Sequence, residues 1–217
     1  MEDDLVVEGL DPIKDRRLLG SVKNVMQMYR IKRIKVKVSP KMNNAVVFPF
    51  FGIRIGQPLV EKLSSDELEG ILAHEFSHFM NRDILSNVFL YLLFAFPLIY
   101  AISILNDSKE PSFVVAFYFL IGMIIWIYGI RVRNWIVLQH EIRADREAVI
   151  KTKNVNALQS ALIIIITEPL VRAEKSNPIL VIFQSIYLLA KYFFGLSHPQ
   201  LKERIEYLDF AKRILKT

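Results

Sequence analysis

Two histidines four residues apart flank a glutamate in the segment His74-Glu75-Phe76-Ser77-His78. On an α-helix, positions i and i+4 share a face, so both imidazoles can reach one ion. Glu75 is offset by one position, which suits a general base for a water that the ion activates. Two helical histidines do not complete a catalytic zinc site, which takes three protein ligands and keeps a fourth position open. The chain has no cysteine and four histidines, His74, His78, His140 and His198, so any metal must be held by His, Asp or Glu. The same count excludes a disulfide framework, a thiol nucleophile and a Cys-ligated cluster.

The third ligand is sought in His140-Glu141-Ile142-Arg143-Ala144-Asp145. Glu141 and Asp145 are four apart and share a helical face. Glu141 is the expected ligand, and Asp145 is expected to orient a metal-bound histidine through its second ring nitrogen. Acidic residues at this spacing, taken alone, usually mark a solvated face. His140 points about 100° away from Glu141 on that helix, and reads as a surface or supporting residue. A His/His/Glu set favours zinc, one ion per chain.

These side chains need elements to position them. Ser64, with Glu67 three residues on, forms a capping box that starts a helix running to about Arg82. Ahead of it, Ile34–Val38 alternates as a strand, Asn43-Asn44 marks a turn, and Ala45–Phe48 and Gly52–Ile55 are two further strand candidates. Residues 13–30 have helical spacing, in Ile13, Leu18, Leu19, Val22, Val25, Met26 and Tyr29. Residues 131–152 and 155–168 are expected as helices, and residues 1–12 as a loose acidic leader. A hydrophobic stretch over 178–194, interrupted by Lys191, fits a buried or interfacial helix better than a short span.

Of 217 residues, 53% are hydrophobic, which excludes a disordered or collagen-like chain. The excess is local. Ile84 to Asn106 is 23 residues without a charge, and Pro111 to Ile130 is 20 more. Each reaches roughly 30 Å or more as a helix, enough to cross a hydrocarbon core. The short polar link Asp107-Ser108-Lys109-Glu110 makes them a hairpin, with a kink expected at Pro97 and an aromatic belt at Trp126, Tyr128 and Trp135. Starting after residue 83, neither run reads as a signal peptide. Lys and Arg number 13 in residues 1–83, one at the hairpin tip and 14 in residues 131–217. The positive-inside rule then puts both termini and the candidate active site in the cytoplasm of a multi-pass cell-membrane protein. The net charge of +6 falls almost wholly after the hairpin, where Arg131 and Arg133 suit anionic lipid better than nucleic acid.

Several segments together resemble a known family. Asn44-Ala45-Val46-Val47-Phe48, then Leu63-Ser64-Ser65-Asp66-Glu67-Leu68, then Ala73–His78 with Arg82-Asp83 behind, resemble the HtpX-like membrane zinc metalloproteases, relatives of the CAAX prenyl proteases. Glu141–Asp145 is similar to the family's E-x-x-x-D, with Glu as zinc ligand. Ser197-His198-Pro199, running on to Arg204-Ile205, is similar to its late H-P-x-x-x-x-R-I. The resemblance spans residues 43–209 apart from the hydrophobic runs. Two features depart from it: the usual H-E-L-G-H is here H-E-F-S-H, and residues 1–83 show no counterpart to the two additional spans with which HtpX begins.

The resemblance implies a mainly α fold with a small β-sheet (α+β), a zincin-type H-E-x-x-H core carrying an inserted two-helix transmembrane hairpin. Residues 1–83 hold the sheet and the first metal helix, 84–130 the hairpin, and 131–217 the E-x-x-x-D helix and H-P motif. It further implies that Asn44, Ala45 and Val46 line the cleft and pair with substrate backbone by strand addition. His198 would hydrogen-bond the developing oxyanion, though a histidine before a proline also serves as a turn residue. Arg204 is expected to hold the tail by pairing with an acidic group, Asp145 being a candidate. The expected activity is zinc-dependent endopeptidase action, with Glu75 as base, on unfolded or membrane polypeptides beside the bilayer in membrane protein quality control. The alternatives are a catalytically idle, membrane-anchored binding module for unfolded segments and a non-catalytic metal-binding scaffold. A metal-binding scaffold has no need of a carboxylate at position 75.

Overall fold

The computed structural model describes residues 7–8, 16–40, 42–48, 52–107, 112–173 and 201–215. The elements are β1 (Val7–Glu8), α1 (Arg16–Tyr29), β2 (Val36–Ser39), β3 (Ala45–Phe48), β4 (Gly52–Gly56), α2 (Gln57–Lys62), α3 (Ser65–Asn81), α4 (Asp83–Asp107), α5 (Ser112–Thr152), α6 (Val155–Ala173) and α7 (Leu201–Leu215). The chain is mostly helical with one small sheet. Residues 1–6 and 9–12 of the acidic leader, the hairpin tip at 108–111, the stretch 178–194 and His198 lie outside the described residues, whereas Val7–Glu8 of the leader, expected to be loose, pair with β2 as β1.

The sheet has the order β1-β2-β4-β3. The first three strands of that order run parallel, while β3 pairs antiparallel with β4, Ala45 opposite Ile55 and Phe48 opposite Gly52. Alternation sets its two faces. Val36, Val47, Ile53 and Ile55 are buried, whereas Lys37 and Arg54, neighbours across β2 and β4, are exposed. Gly52 opens β4 at φ +86, and a Cβ there would stand 1.9 Å from the Lys35 carbonyl oxygen, so the strand can start only with glycine.

The short helix α2 is absent from the expectations above. Its six residues are too few for a periodic signal, although proline in its first turn is a helix-start residue. Its last carbonyls are satisfied from α1: the Arg17 guanidinium donates to Leu63 O at 3.0 Å and Val60 O at 3.2 Å. α1 begins at Arg16 and buries Leu18, Val22, Val25 and Met26, the face read from its spacing.

The core gathers α1, the inner sheet face, α3, α6 and α7. Leu18, Val22, Leu72, Phe76, Leu158 and Leu208 are all fully buried in it. α3 starts as its sequence demands, with Ser64 as N-cap and both hydrogen bonds of the capping box to Glu67 present. Gly70 lets α3 approach α6, where a Cβ would meet the Leu158 backbone at 3.3 Å.

α4 and α5 pack against each other lengthwise and turn their remaining surface outward. Phe89, Phe96, Phe117, Ile124 and Tyr128 are exposed there, a distribution opposite to that of a soluble core. Both helices are long and apolar enough to cross a membrane. Gly122 sets their approach: a Cβ would meet the Leu98 Cα and Pro97 O at 3.1 Å. Pro97 lies inside α4 without ending it. The second apolar run and the segment bearing Glu141 and Asp145 form one unbroken helix of 41 residues.

Candidate metal centre

α3 carries His74 and His78 on the face turned toward α5, while Phe76 and Ser77 between them point into the fold and are fully buried. Ser77 Oγ donates to Glu147 Oε2 of α5 at 2.6 Å, and Asn81 caps Ser77 O at 2.9 Å, so the two helices are pinned one turn from the histidines. This seat explains Ser in place of the usual small Gly: the hydroxyl is small and has a partner.

His74 Nε2 and His78 Nε2 face each other at 3.0 Å. Glu141 closes the triangle, its Oε2 3.5 Å from His74 Nε2 and its Oε1 3.5 Å from His78 Nε2. Ligand atoms of His74, His78 and Glu141 all lie within 4.8 Å of one another. Zn–N bonds of about 2.0–2.1 Å at a tetrahedral angle place two ligand atoms about 3.3 Å apart. The three observed edges bracket that value, so the donor set fits a small cation with two imidazoles and a carboxylate.

Aspartates stand behind the histidines. His74 Nδ1 lies 2.8 Å from Asp145 Oδ1. Arg204 of α7 grips the same carboxylate, Nε donating to Oδ2 at 2.8 Å and Nη2 to Oδ1 at 2.5 Å, and its Nη1 is 3.3 Å from Glu141 Oε2. Asp145 is 1% exposed and Arg204 7%. Burial works against the Asp145 anion, but His74 and Arg204 more than offset it and hold the carboxyl below its ordinary range. Burial likewise disfavours the His74 cation, yet the Asp145 charge and contacts with Asp145 and Glu141 push the metal-free imidazole up to about 10.

Behind His78 is a residue to which the sequence motifs assigned no role. Asp83 is buried, its Oδ2 2.7 Å from His78 Nδ1. Arg143 of α5 donates to both Asp83 oxygens, each at 2.5 Å. His140 is the flanking residue here, its Nδ1 3.7 Å from Asp83 Oδ1 and outside the triangle of ligand atoms. In sequence Asp83 marked the edge of a charge-free run and stood in the Arg82-Asp83 pair of the family resemblance, with no role of its own.

Glu75 is partly exposed and close enough to His74, His78, Glu141 and Arg204 to feel their charges. Burial raises its carboxyl above the ordinary range, helped by Glu141 and opposed by the two histidines and Arg204. A carboxyl held above its ordinary range beside a cation site is suited to take up and return a proton. β3, the strand expected to meet substrate, ends the sheet order and packs on α3. Ala45 and Val46 are half-buried, while Asn44 is exposed, its carbonyl accepting from Gly56 N at 3.0 Å.

The chain matches the family model described as peptidase family M48 over residues 12–212. Among curated proteins it is 26% identical to a protease HtpX homolog of Bacteroides fragilis, over 92% of this chain and 70% of that protein. It is 29% identical to protease HtpX of Mannheimia succiniciproducens, over 74% of this chain and 59% of the relative. It is 32% identical to protease HtpX homolog 2 of Methanosarcina mazei, over 48% and 37%. No solved structure matches it significantly.

Proposed function

The chain belongs to peptidase family M48, and from that premise we propose that it is a membrane-embedded, zinc-dependent endopeptidase with a zincin-type core, split by the inserted hairpin into parts 1–83 and 131–217. The observation that carries this reading is the convergence of His74, His78 and Glu141 from two helices, with Glu75 beside them. A metal-binding scaffold has no use for a raised carboxylate at that place.

His74, His78 and Glu141 would hold the ion. When bound, zinc supplies Lewis acidity that polarises a scissile carbonyl and acidifies water. Glu75 takes a proton from the attacking water and returns one to the leaving amine. Asp145 keeps the His74 proton on Nδ1, leaving Nε2 bare. The exposed edge of the sheet at Asn44, Ala45 and Val46 would hold substrate as an added strand, and His198 would donate to the oxyanion.

The hairpin would place this site at the cytoplasmic membrane face, where unfolded or membrane polypeptides are the expected substrates in quality control. Glu75→Gln in detergent-purified protein should keep zinc and abolish cleavage of an unfolded protein such as a casein; retained cleavage would refute the mechanism. A cysteine replacing Ser108 should react with an impermeant reagent only from outside the cell, and labelling from the cytoplasm would overturn the orientation.

A further inference from the structure

Each ligand histidine is backed by the same chain of groups. His74 meets Asp145, which Arg204 grips; His78 meets Asp83, which Arg143 grips. We propose that Asp83 is a positioning residue for His78, holding its proton on Nδ1 and its Nε2 toward the ion, and that through it the metal centre is tied to the first residue of α4, the helix that carries the first apolar run. The proposal rests on the metal-centre reading above.

Asp83 would not reach His78 on an unbroken helix. Five residues on, it would lie about 140° around the axis from the histidine. The chain instead breaks at Arg82, which takes φ 55 and ψ 35, ends α3 and lets α4 begin at Asp83. Left-handed backbone at a non-glycine residue is strained, and such strain persists where surrounding structure holds it in place. Here the break turns the carboxylate back onto the ring. An N-terminal aspartate often serves its own helix by accepting backbone N–H groups. Among the described residues, the hydrogen bonds of this carboxylate go instead to His78 and Arg143. Arg143 lies on α5 two residues from Glu141. One ion-paired link therefore joins the α3 ligand, the start of α4 and the helix that carries the third ligand.

The test uses the full chain in detergent, stripped of metal and titrated separately with zinc and cobalt(II). Asp83→Asn preserves volume and should weaken both metals by about 10–100-fold. It should also change the cobalt(II) ligand-field bands, a signature that a merely structural role would not move. Arg143→Gln should act in the same direction and more weakly. His78→Ala is the control for the underlying reading: if it keeps wild-type metal affinity, the metal centre itself is misassigned. If His78→Ala loses metal while Asp83→Asn keeps wild-type affinity and bands, the positioning role alone is overturned. Failure of both Asp83→Asn and Arg143→Gln to fold, or a lowered thermal midpoint with unchanged cobalt bands, would also overturn it, because Asp83 would then be structural.

Discussion

Replacing Arg204 by Met tests whether α7 belongs to the site or merely lies beside it. The guanidinium is 7% exposed and satisfies both oxygens of Asp145, which is 1% exposed. Met keeps most of the volume and removes the charge, leaving His74 as the remaining cationic partner of that carboxylate in the metal-free protein. Removing one partner of a buried ion pair costs about 3–5 kcal/mol, because the other charge is stranded. Leu208 and the bond from Gln159 to Asp209 still hold α7, so the helix stays docked while the site loses its clamp. For a chain of this size each kcal/mol moves the thermal midpoint by about 2–4 °C, so a fall of about 6–20 °C is expected near neutral pH. A carboxylate held below its ordinary range stabilises the fold fully above the unfolded value of about 3.9 and loses that contribution as pH falls through the folded one. The gap between wild type and Arg204→Met must therefore be full at neutral pH and close below about pH 4. Circular dichroism on metal-free protein in detergent reads both. A neutral-pH fall under about 2 °C, or a gap that persists in acid, would refute the reasoning.

Gly122→Val should force α4 and α5 apart, since even a Cβ would stand 3.1 Å from the Leu98 backbone; overpacking of this kind costs about 1–3 kcal/mol, and an unchanged thermal midpoint would argue against the close approach. Ser64→Ala removes the cap of α3 and should cost about 1 kcal/mol, read as a lower midpoint with wild-type metal affinity once folded. The metal-free His74 imidazole is pushed up to about 10, so a cation must displace its proton. Zinc affinity should then climb about tenfold per pH unit between pH 6.5 and 8.5; a flat profile against a chromophoric chelator would contradict that.

The helix around His74 was legible because its signals are local: a capping box, a period and two histidines one turn apart. The apolar runs were legible for a similar reason, since charge is absent over 23 and 20 consecutive residues. Strand β2 came from alternation, and β3 and β4 from short β-prone segments after the Asn43-Asn44 turn, but the parallel pairing of β2 with β4 depends on a crossover that no local pattern records. Glu141 was legible through its spacing to Asp145 together with the resemblance to E-x-x-x-D; among 22 acidic residues, spacing alone reads as a solvated face. Asp83 was not, because its reach to His78 depends on one left-handed residue, Arg82, and a straight helix would have pointed it away. Arg143 and Glu147 were hidden similarly; their partners lie 60 and 70 residues distant along the chain.

The unbroken run of α5 has a metric consequence. Glu141 and the apolar run ending at Ile130 ride one helix, eleven residues apart, so about 16 Å of axial rise separates the end of that run from the candidate ligand. A substrate leaving the bilayer in extended form covers that height in about five residues. On the function proposed above, the helix would work as a ruler: bonds nearer than that to a substrate's own span would stay below the reach of the site, whatever their sequence. Inserting one helical turn, four residues, between Ile130 and His140 would raise the ligand by about 6 Å and rotate it by about 40°. Lengthening the gap and misdirecting Glu141 are then inseparable, and on that function the cutting height would be set by the same covalent rod that carries Glu141.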